Sequence, residues 1–418
     1  MRWIFLRRRP ARTAGGAVAA AVSCFALIAG GWAAAGDARA AEPPFGECRA
    51  GWWSSNRDLD DREGIAKADC LIQWRGDAGE HLRFGLSGRL GSNHTGAAND
   101  ADAQLREAFA EFDQGRWTVR AGRQIVAWGR ADKINPTDSF STRDFTLLAS
   151  DDDEQRRGSD ALSLRFGLSD SASLTAVAAD FAPHRLPEGP LPKPLHRDDA
   201  PQRLDLGLRL DRVGERVDWS LSWFDGHDRM PRYRLAALSP QPTLAIGYER
   251  AQVAGADFAA AAGRWSFRGE AAYARKEGRG DALRAVLGLD TDLGDTANLN
   301  LQWVYASRAD YRDPKSLPAP FRPLATALNQ LNREFGAREQ SVTLRLTQRL
   351  RNERLKLEWA GVFSLDDGSG ILRPRLTYQI DDRFKIVIGA DRAYGHSETT
   401  FGSRRDNNLA FGEVGFVF

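Results

Sequence analysis

Along most of this chain, large apolar residues fall at every second position, with charged, small or polar residues between them. In the clearest pair of segments, Leu204, Leu206, Leu208 and Leu210 oppose Asp205, Gly207 and Arg209, and a polar turn then leads into Val217 to Trp223. A period of two marks a strand with one apolar face, and two such runs joined by a polar turn read as a β-hairpin. The same pattern recurs at Leu82–Leu90, Trp265–Tyr273, Asn298–Tyr305, Leu355–Phe363 and Arg373–Ile380. Marked along the whole chain, it predicts sixteen strands, near 82–91, 104–113, 117–127, 160–168, 173–181, 203–211, 217–226, 243–258, 264–274, 282–290, 297–306, 339–349, 354–363, 371–380, 384–392 and 407–418. Short connections such as 114–116 and 350–353 alternate with long ones such as 128–159 and 307–338.

Strands of about ten residues, apolar on one face only, suit closure into a single barrel surrounded by lipid better than a sandwich with a shared core. The expected fold over residues 82–418 is therefore an all-β, transmembrane antiparallel β-barrel. It should have about 16 strands, with 14 to 18 admitted, short periplasmic turns and long extracellular loops. Beyond residue 40 no run of 18 apolar residues offers a membrane helix. A negative mean hydropathy of −0.46 alongside 12 Trp fits strands that show lipid one face, with aromatic residues near the head groups.

The first 40 residues read differently. Arg2, Arg7, Arg8, Arg9 and Arg12 precede an apolar run from Ala14 to Ala35, and Ala38-Arg39-Ala40 offers a small-x-small cleavage site. This is the layout of a secretory signal peptide over 1–40. Its removal takes away six of 58 basic and one of 56 acidic residues, turning a formal charge of +2 into −3. No argument for nucleic-acid binding survives that correction. Of the three cysteines, Cys48 and Cys70 remain, and in an oxidising compartment they imply one disulfide. Residues 41–81 show little alternation and are expected to form a periplasmic N-terminal extension, either a small plug or docking surface or a mere lead-in to the first strand.

At the other end, Val414, Phe416 and Phe418 share one side of a strand. A strand ending on an aromatic resembles the signal read by the barrel-assembly machinery, which puts Phe416 and Phe418 forward as assembly residues. The expected surroundings are outer-membrane lipid, that machinery and an optional periplasmic export or docking partner.

The face opposite the apolar stripe sets the expected function. It carries Arg83, Arg89, Arg120, Arg165, Arg209, Arg268, Arg284, Arg345, Lys356, Arg373, Arg375 and Lys385 against Glu107, Glu111, Asp205, Asp218, Glu270 and Glu358. Twelve bases to six acids predict a positive lumen that favours anions. Pairing of these groups across the wall would instead fill the lumen without selecting anything. The segment 128–159 contains Pro136 and many turn formers, which exclude a continuous strand, yet Trp128 and Ile134 are too apolar for a freely solvated loop. It is expected to fold inward as a constriction, with Trp128, Arg130, Asp132, Lys133, Asn135 and Asp138 as its candidate residues. Asp151 to Glu154 could ligate Ca²⁺ or form an acidic turn paired with Arg156 and Arg157. A short amphipathic helix is expected near 323–335, from the spacing of Leu324, Leu328, Leu331 and Phe335.

Gly122-Arg123-Gln124, Trp128-Gly129, Asp132, Asn135-Pro136 and Asp138 together resemble a stretch shared by a group of proteobacterial outer-membrane barrels, among them porins and alginate-export-like channels. The resemblance covers about a tenth of the chain. It implies transport of small solutes or export of an anionic polymer, and it names no substrate. An enzyme is not expected: all six His fall outside the marked strands, and neither a catalytic Ser/His pair on a strand nor a metal-ligand cluster is present. No metal or cofactor is expected. The two functions carried forward are an outer-membrane channel for anionic solutes or an acidic polysaccharide, and a structural barrel that sheathes or anchors a partner.

Overall fold

The computed structural model describes residues 43–55, 64–92, 102–187, 195–237 and 243–418. The predicted signal peptide lies outside them. Eighteen strands form one closed antiparallel barrel. In chain order they are β1 (Phe45–Ser55), β2 (Gly64–Ala78), β3 (Leu82–Ser92), β4 (Asp102–Gln114), β5 (Trp117–Gln124) and β6 (Ser159–Ser169). Next come β7 (Ala172–Ala179), β8 (Asp205–Arg212), β9 (Val217–His227), β10 (Arg250–Ala262), β11 (Trp265–Lys276) and β12 (Ala282–Leu293). The last six are β13 (Ala297–Arg308), β14 (Arg338–Leu350), β15 (Leu355–Ser364), β16 (Gly370–Gln379), β17 (Phe384–Tyr394) and β18 (Leu409–Val417). Each strand pairs with its chain neighbour, and β18 pairs back onto β1, with Trp53 opposite Phe411. No edge is left open.

The sixteen strands read from the pattern correspond to β3–β18. The other two, β1 and β2, lie in the segment expected as a periplasmic extension, so residues 45–55 and 64–78 belong to the barrel wall and close it. The physical reason is visible in the side chains. On β1 and β2 the inward positions hold Trp53 and Ile65, while outward positions hold Cys48, Ala50, Ala66 and Cys70. Apolar groups therefore sit on both faces and the alternation vanishes. The disulfide joins Cys48 to Cys70, which face each other across β1 and β2. Closing a chain segment with a separation of 22 stabilises by roughly 3 kcal/mol through the unfolded state.

Exposure is inverted relative to a water-soluble fold. Large apolar groups on the outer face stand open, such as Trp359 at 60 % and Ile388 at 53 %, while Asp205, Asp257, Glu270 and Asn300 are buried inside. A wall of this kind suits lipid outside and a polar lumen within. The end where Gly46 meets Phe418 has short turns. Gly115 (φ +62°) and Gly263 (φ +62°) supply the left-handed residue that tight hairpins require. The opposite end carries the long loops. There a small sheet of Leu195–Arg197, Thr243–Gly247 and Arg232–Ala237 and a helix, Arg322–Leu331, overhang the mouth. The helix matches the one expected at 323–335.

Candidate functional site: the inward loop and the lumen

Residues 125–158, between β5 and β6, cross the lumen. Their two apolar anchors lie on opposite sides of the ring. On one side Trp128 and Phe140 pack edge-on, and Phe140 packs edge-on against Phe224 of β9, both at 5.0 Å between centroids. The close approach needs Gly207 on β8, since a Cβ there would lie 2.5 Å from Phe140. On the far side Leu148 buries itself among Trp53, Ile65, Val387 and Phe411, where the barrel closes. Strands β8 and β17 are half a turn apart in the ring, so the loop bridges the lumen. These apolar anchors explain why Trp128 cannot remain in a solvated loop.

Polar contacts fix its height. Glu270 of β11, 3 % exposed, accepts from the backbone N–H groups of Arg130 and Ala131, from Asn135 Nδ2 at 3.1 Å and from Thr137 Oγ1 at 3.1 Å. Gly129 (φ +100°) makes this possible, because a Cβ would lie 2.5 Å from the Glu270 carboxylate. Arg130 pairs with Asp257 of β10 and with Asp211 of β8 at 3.2 Å. Asp132 pairs with Arg345 of β14, and Asp152 binds Arg373 of β16 at 2.6 Å. Glu154 pairs with Arg49 of β1 and with Arg89 of β3 at 3.2 Å. The loop is thus tied to strands all round the barrel.

Each constriction candidate has a place in this scheme. Trp128 is an apolar anchor, and Arg130 and Asp132 are ion-pair anchors. Lys133 (φ +65°) ties Asp151 and Asp153 together, both at 3.0 Å. Asn135 bridges the Ala131 carbonyl and Glu270. Asp138 accepts from the Trp128 and Ser141 amides and faces Arg156. The acidic run Asp151–Glu154 spends its carboxylates on Lys133, Arg373, Arg49 and Arg89. That leaves it an anchor rather than a cation site.

The lumen arginines divide into two groups. Arg83 and Arg120 meet Glu111, Arg209 meets Asp211 and Asp257, Arg345 meets Asp132, Arg373 meets Asp152 and Asp391, and Arg375 meets Asp391. Arg165, Arg268 and Arg284 form no ion pair among the described residues. The twofold basic excess read from the pattern therefore does not hold along the wall. It omitted Asp211, Asp257, Asp391 and Glu413, the strands β1 and β2, and the carboxylates brought in by the loop. Phe416 and Phe418 stack at 6.2 Å, and the Phe418 backbone exchanges hydrogen bonds with Gly46. The sequence reading also missed buried Lys67 and Asp69 of β2, and Arg229 at the loop end.

Two cavities lie along the wall, and the first of them borders the loop. One of about 320 Å³ lies on the loop side, lined by Asp138, His184, Arg229, Lys276, Arg284 and Arg333 among others. One of about 520 Å³ lies on the turn side, lined by Arg75, Asp77, Arg83, Glu107, Glu111 and Arg120 among others.

A family described as "protein of unknown function (DUF1302)" matches residues 57–383, most of the barrel. The chain belongs to the DUF1302 family. No curated protein matches it. Among solved structures, the DUF1302 barrel is similar to Pseudomonas aeruginosa OccK5 (OpdH) with a TM-score of 0.53 at 12 % identity, over 90 % of this chain and 97 % of that one. Matches with lower TM-scores include a loop-deletion form of Vibrio cholerae OmpT, at 0.44 and 10 % identity over 91 % and 100 % of the two chains. They also include a triple mutant of the Rhodopseudomonas blastica porin, at 0.43 and 15 % identity over 90 % and 99 %. At such identities the likeness speaks for the fold.

The loops of the DUF1302 chain hold several shifted acids and bases. Burial raises the Asp138 carboxyl to about 6, against the opposing pull of Arg156 and the amides of Trp128 and Ser141. Burial also raises Asp152 and Asp153, but Arg373 for the first and Lys133 for the second more than reverse it, and both end below the usual range. Burial opposes ionisation of Asp228 as well, yet Lys276 and Arg284 bring it down to about 2.

Proposed function

We propose that this protein is a channel of the bacterial outer membrane that admits small anionic solutes, with residues 125–158 as its constriction. The observation that carries this reading is the inward loop, tied to the wall by apolar and ionic anchors and bordered by an open cavity on the loop side. Where a pore is narrow and walled by low-dielectric material, unneutralised charges dominate what enters. Arg268 and Arg165 toward the turn end are such charges, and Arg284 on the loop side is offset only in part by Asp228, which it shares with Lys276. Export of an acidic polysaccharide fits less well, because residues 125–158 span the lumen and are fastened to both sides of it.

In this reading the inverted wall faces outer-membrane lipid, the short turns face the periplasm and the long loops face outward. The same anchors favour a second reading, a barrel whose lumen is filled and whose work is to sheathe or anchor a partner. Planar-bilayer recording under a salt gradient separates the two. A channel gives steady conductance and a reversal potential of the sign for anions. A potential of the cation sign overturns the selectivity. Silence, both in the native protein and after replacing 131–155 by a short Gly/Ser turn, overturns the channel in favour of the sheath.

A further inference from the structure

The charged groups around the loop-side cavity fall into two sets. Lys276 holds Asp228 at 2.9 Å, and Arg232 holds Glu249 at 3.1 Å and Glu334 at 2.6 Å. Arg279 reaches Glu249 at 3.0 Å and also Asp310, and Arg156 reaches Asp138 at 3.3 Å. These pairs engage every carboxylate that lines the cavity: Asp138, Asp228, Glu249, Asp310 and Glu334. The second set is left over. Arg284 and Arg333 form no ion pair among the described residues. Arg229 is 4 % exposed and gives one nitrogen to Asp205, while its Nε and Nη2 meet no acceptor. A buried guanidinium with two idle donors is costly unless something supplies the acceptors.

A fourth donor stands nearby. His184 Nδ1 accepts from the Arg143 amide at 3.0 Å, which places the ring proton of the neutral imidazole on Nε2. Burial, with Arg143, Arg229 and Arg333 close by and Asp228 opposing, brings this imidazole down to about 4. Arg333 sits at φ +56°, an unfavourable conformation for a side chain of its size. It follows Asn332, whose amide brackets the Tyr233 backbone with bonds of 2.8 and 2.9 Å. The loops thus hold Arg333 at the mouth in a fixed and strained position.

We infer that the loop-side cavity is a binding subsite for a compact organic dianion, held by Arg229, Arg284 and Arg333 with His184 as a neutral donor. The idea rests on the channel reading, since it places capture just before the constriction. Arg333 without an ion partner, and Arg284 acting on Asp228 only at longer range than Lys276, leave a surplus of positive charge for a dianion to meet. The 320 Å³ of space corresponds to about ten waters at ~30 Å³ each, enough for a molecule with a few carbons and two acidic groups.

Calorimetric titration of the detergent-solubilised protein tests this, with succinate and glycerol phosphate as dianions, acetate as monoanion and putrescine as cation. Saturable binding of either dianion, at least tenfold tighter than acetate, supports the subsite. Preference between the two tells a carboxylate cargo from a phosphorylated one. Arg229→Gln risks misfolding, because it strands buried Asp205, so Arg284→Gln and Arg333→Gln are the informative variants. Each should weaken dianion binding about tenfold, with an unchanged unfolding temperature for Arg333→Gln and a small drop for Arg284→Gln, which also acts on Asp228. No saturable binding of either dianion overturns the inference, as does equal binding by the double variant. If the native protein passes anions in bilayers but neither dianion binds, the subsite falls and the channel stands. If a dianion binds and no current flows, the channel falls and the subsite stands.

Discussion

The wall where the barrel closes and the wall formed by β11 and β12 use the same residue types for different ends. At the closure, charge follows charge without a gap. Lys385 meets Glu47 at 2.8 Å, Glu47 meets Arg49 at 2.7 Å, and Arg49 meets Glu154. Glu154 meets Arg89 at 3.2 Å, Arg89 meets Asp69, and Asp69 and Glu413 share Lys67, at 3.5 and 2.7 Å. Lys67 is almost fully buried. These groups bind one loop and five strands together and leave little net field. On the opposite wall, Arg268 and Arg284 stand without ion partners, two and fourteen positions from Glu270, which is wholly engaged by the loop. An arginine with a carboxylate on it acts mainly as a tie. One without acts on the solvent and on whatever ions enter it.

The sharpest way to break this comparison is to cut the anchor on the β11 side. Glu270→Ala leaves the amides of Arg130 and Ala131, and the side chains of Asn135 and Thr137, without their acceptor. Stranding several buried donors should weaken loop docking by on the order of 3–5 kcal/mol. Amide exchange at Arg130 and Ala131 should accelerate by two orders of magnitude or more, and conductance should rise several-fold while the barrel persists. Native exchange rates in this variant would show that the apolar anchors alone hold the loop, and the distinction between the two walls would lose its meaning.

What was legible in the chain follows from which information is local. The outward Leu, Trp and Phe of β3–β18 alternate with polar groups, so their existence and their faces could be read from a period of two. Strands β1 and β2 could not, because Trp53 and Ile65 point inward to receive Leu148, a contact that no local pattern reveals. The inward fold of the segment 128–159 was legible from Trp128 and Ile134. Its fastenings were not, since Asp152 finds Arg373 and Asp132 finds Arg345 across more than two hundred positions of chain. The face of each lumen arginine was readable for the same reason as its strand, whereas its partner was not. For that reason the expected charge excess turned out to be mostly neutralised.

Acidification offers a gentler probe of the loop. Asp138 titrates at about 6 in the folded protein, above its ordinary 3.8. The folded state therefore holds that proton more tightly, and the associated stabilisation is complete below about 4 and lost as pH rises through about 6. Its size is at most about 3 kcal/mol. Asp152 and Asp153 are shifted down, so the stability they contribute is present above the ordinary carboxylate value and disappears as pH falls below it. Loop docking should hold or tighten from pH 7 to 5 and loosen only below about 4. Conductance recorded against pH should stay level or fall slightly over the first interval and rise in the second. A rise already between pH 7 and 5 would mean that Asp138 fastens the loop as an anion, contrary to the shift assigned to it.

The smallest effect bears most directly on the contrast between tied and untied arginines. Removing the charge of Arg268 breaks no ion pair, so Arg268→Gln should change stability by less than about 0.5 kcal/mol, while Arg284→Gln should cost more, because Asp228 loses one of the two bases that favour its ionised form. Their effect should appear in selectivity. A unit charge acting on an ion ~10 Å away contributes about 1.7 kcal/mol at an effective dielectric of ~20, and one Debye length of screening at ~0.1 M salt reduces this to about 0.6 kcal/mol. Because the same charge attracts the anion and repels the cation, the ratio responds to about twice that energy, and each variant should lower the anion-to-cation permeability ratio roughly eightfold. Arg209→Gln is the counterpart, because Arg209 lies on Asp211 and Asp257 and its loss leaves buried Asp257 with Arg130 and the Ser220 hydroxyl. That variant should unfold earlier. Its selectivity should move less than that of the Arg268 variant, because the missing charge was already offset. If instead Arg209→Gln shifts the reversal potential as far as Arg268→Gln does, pairing does not decide which arginines the permeating ion feels.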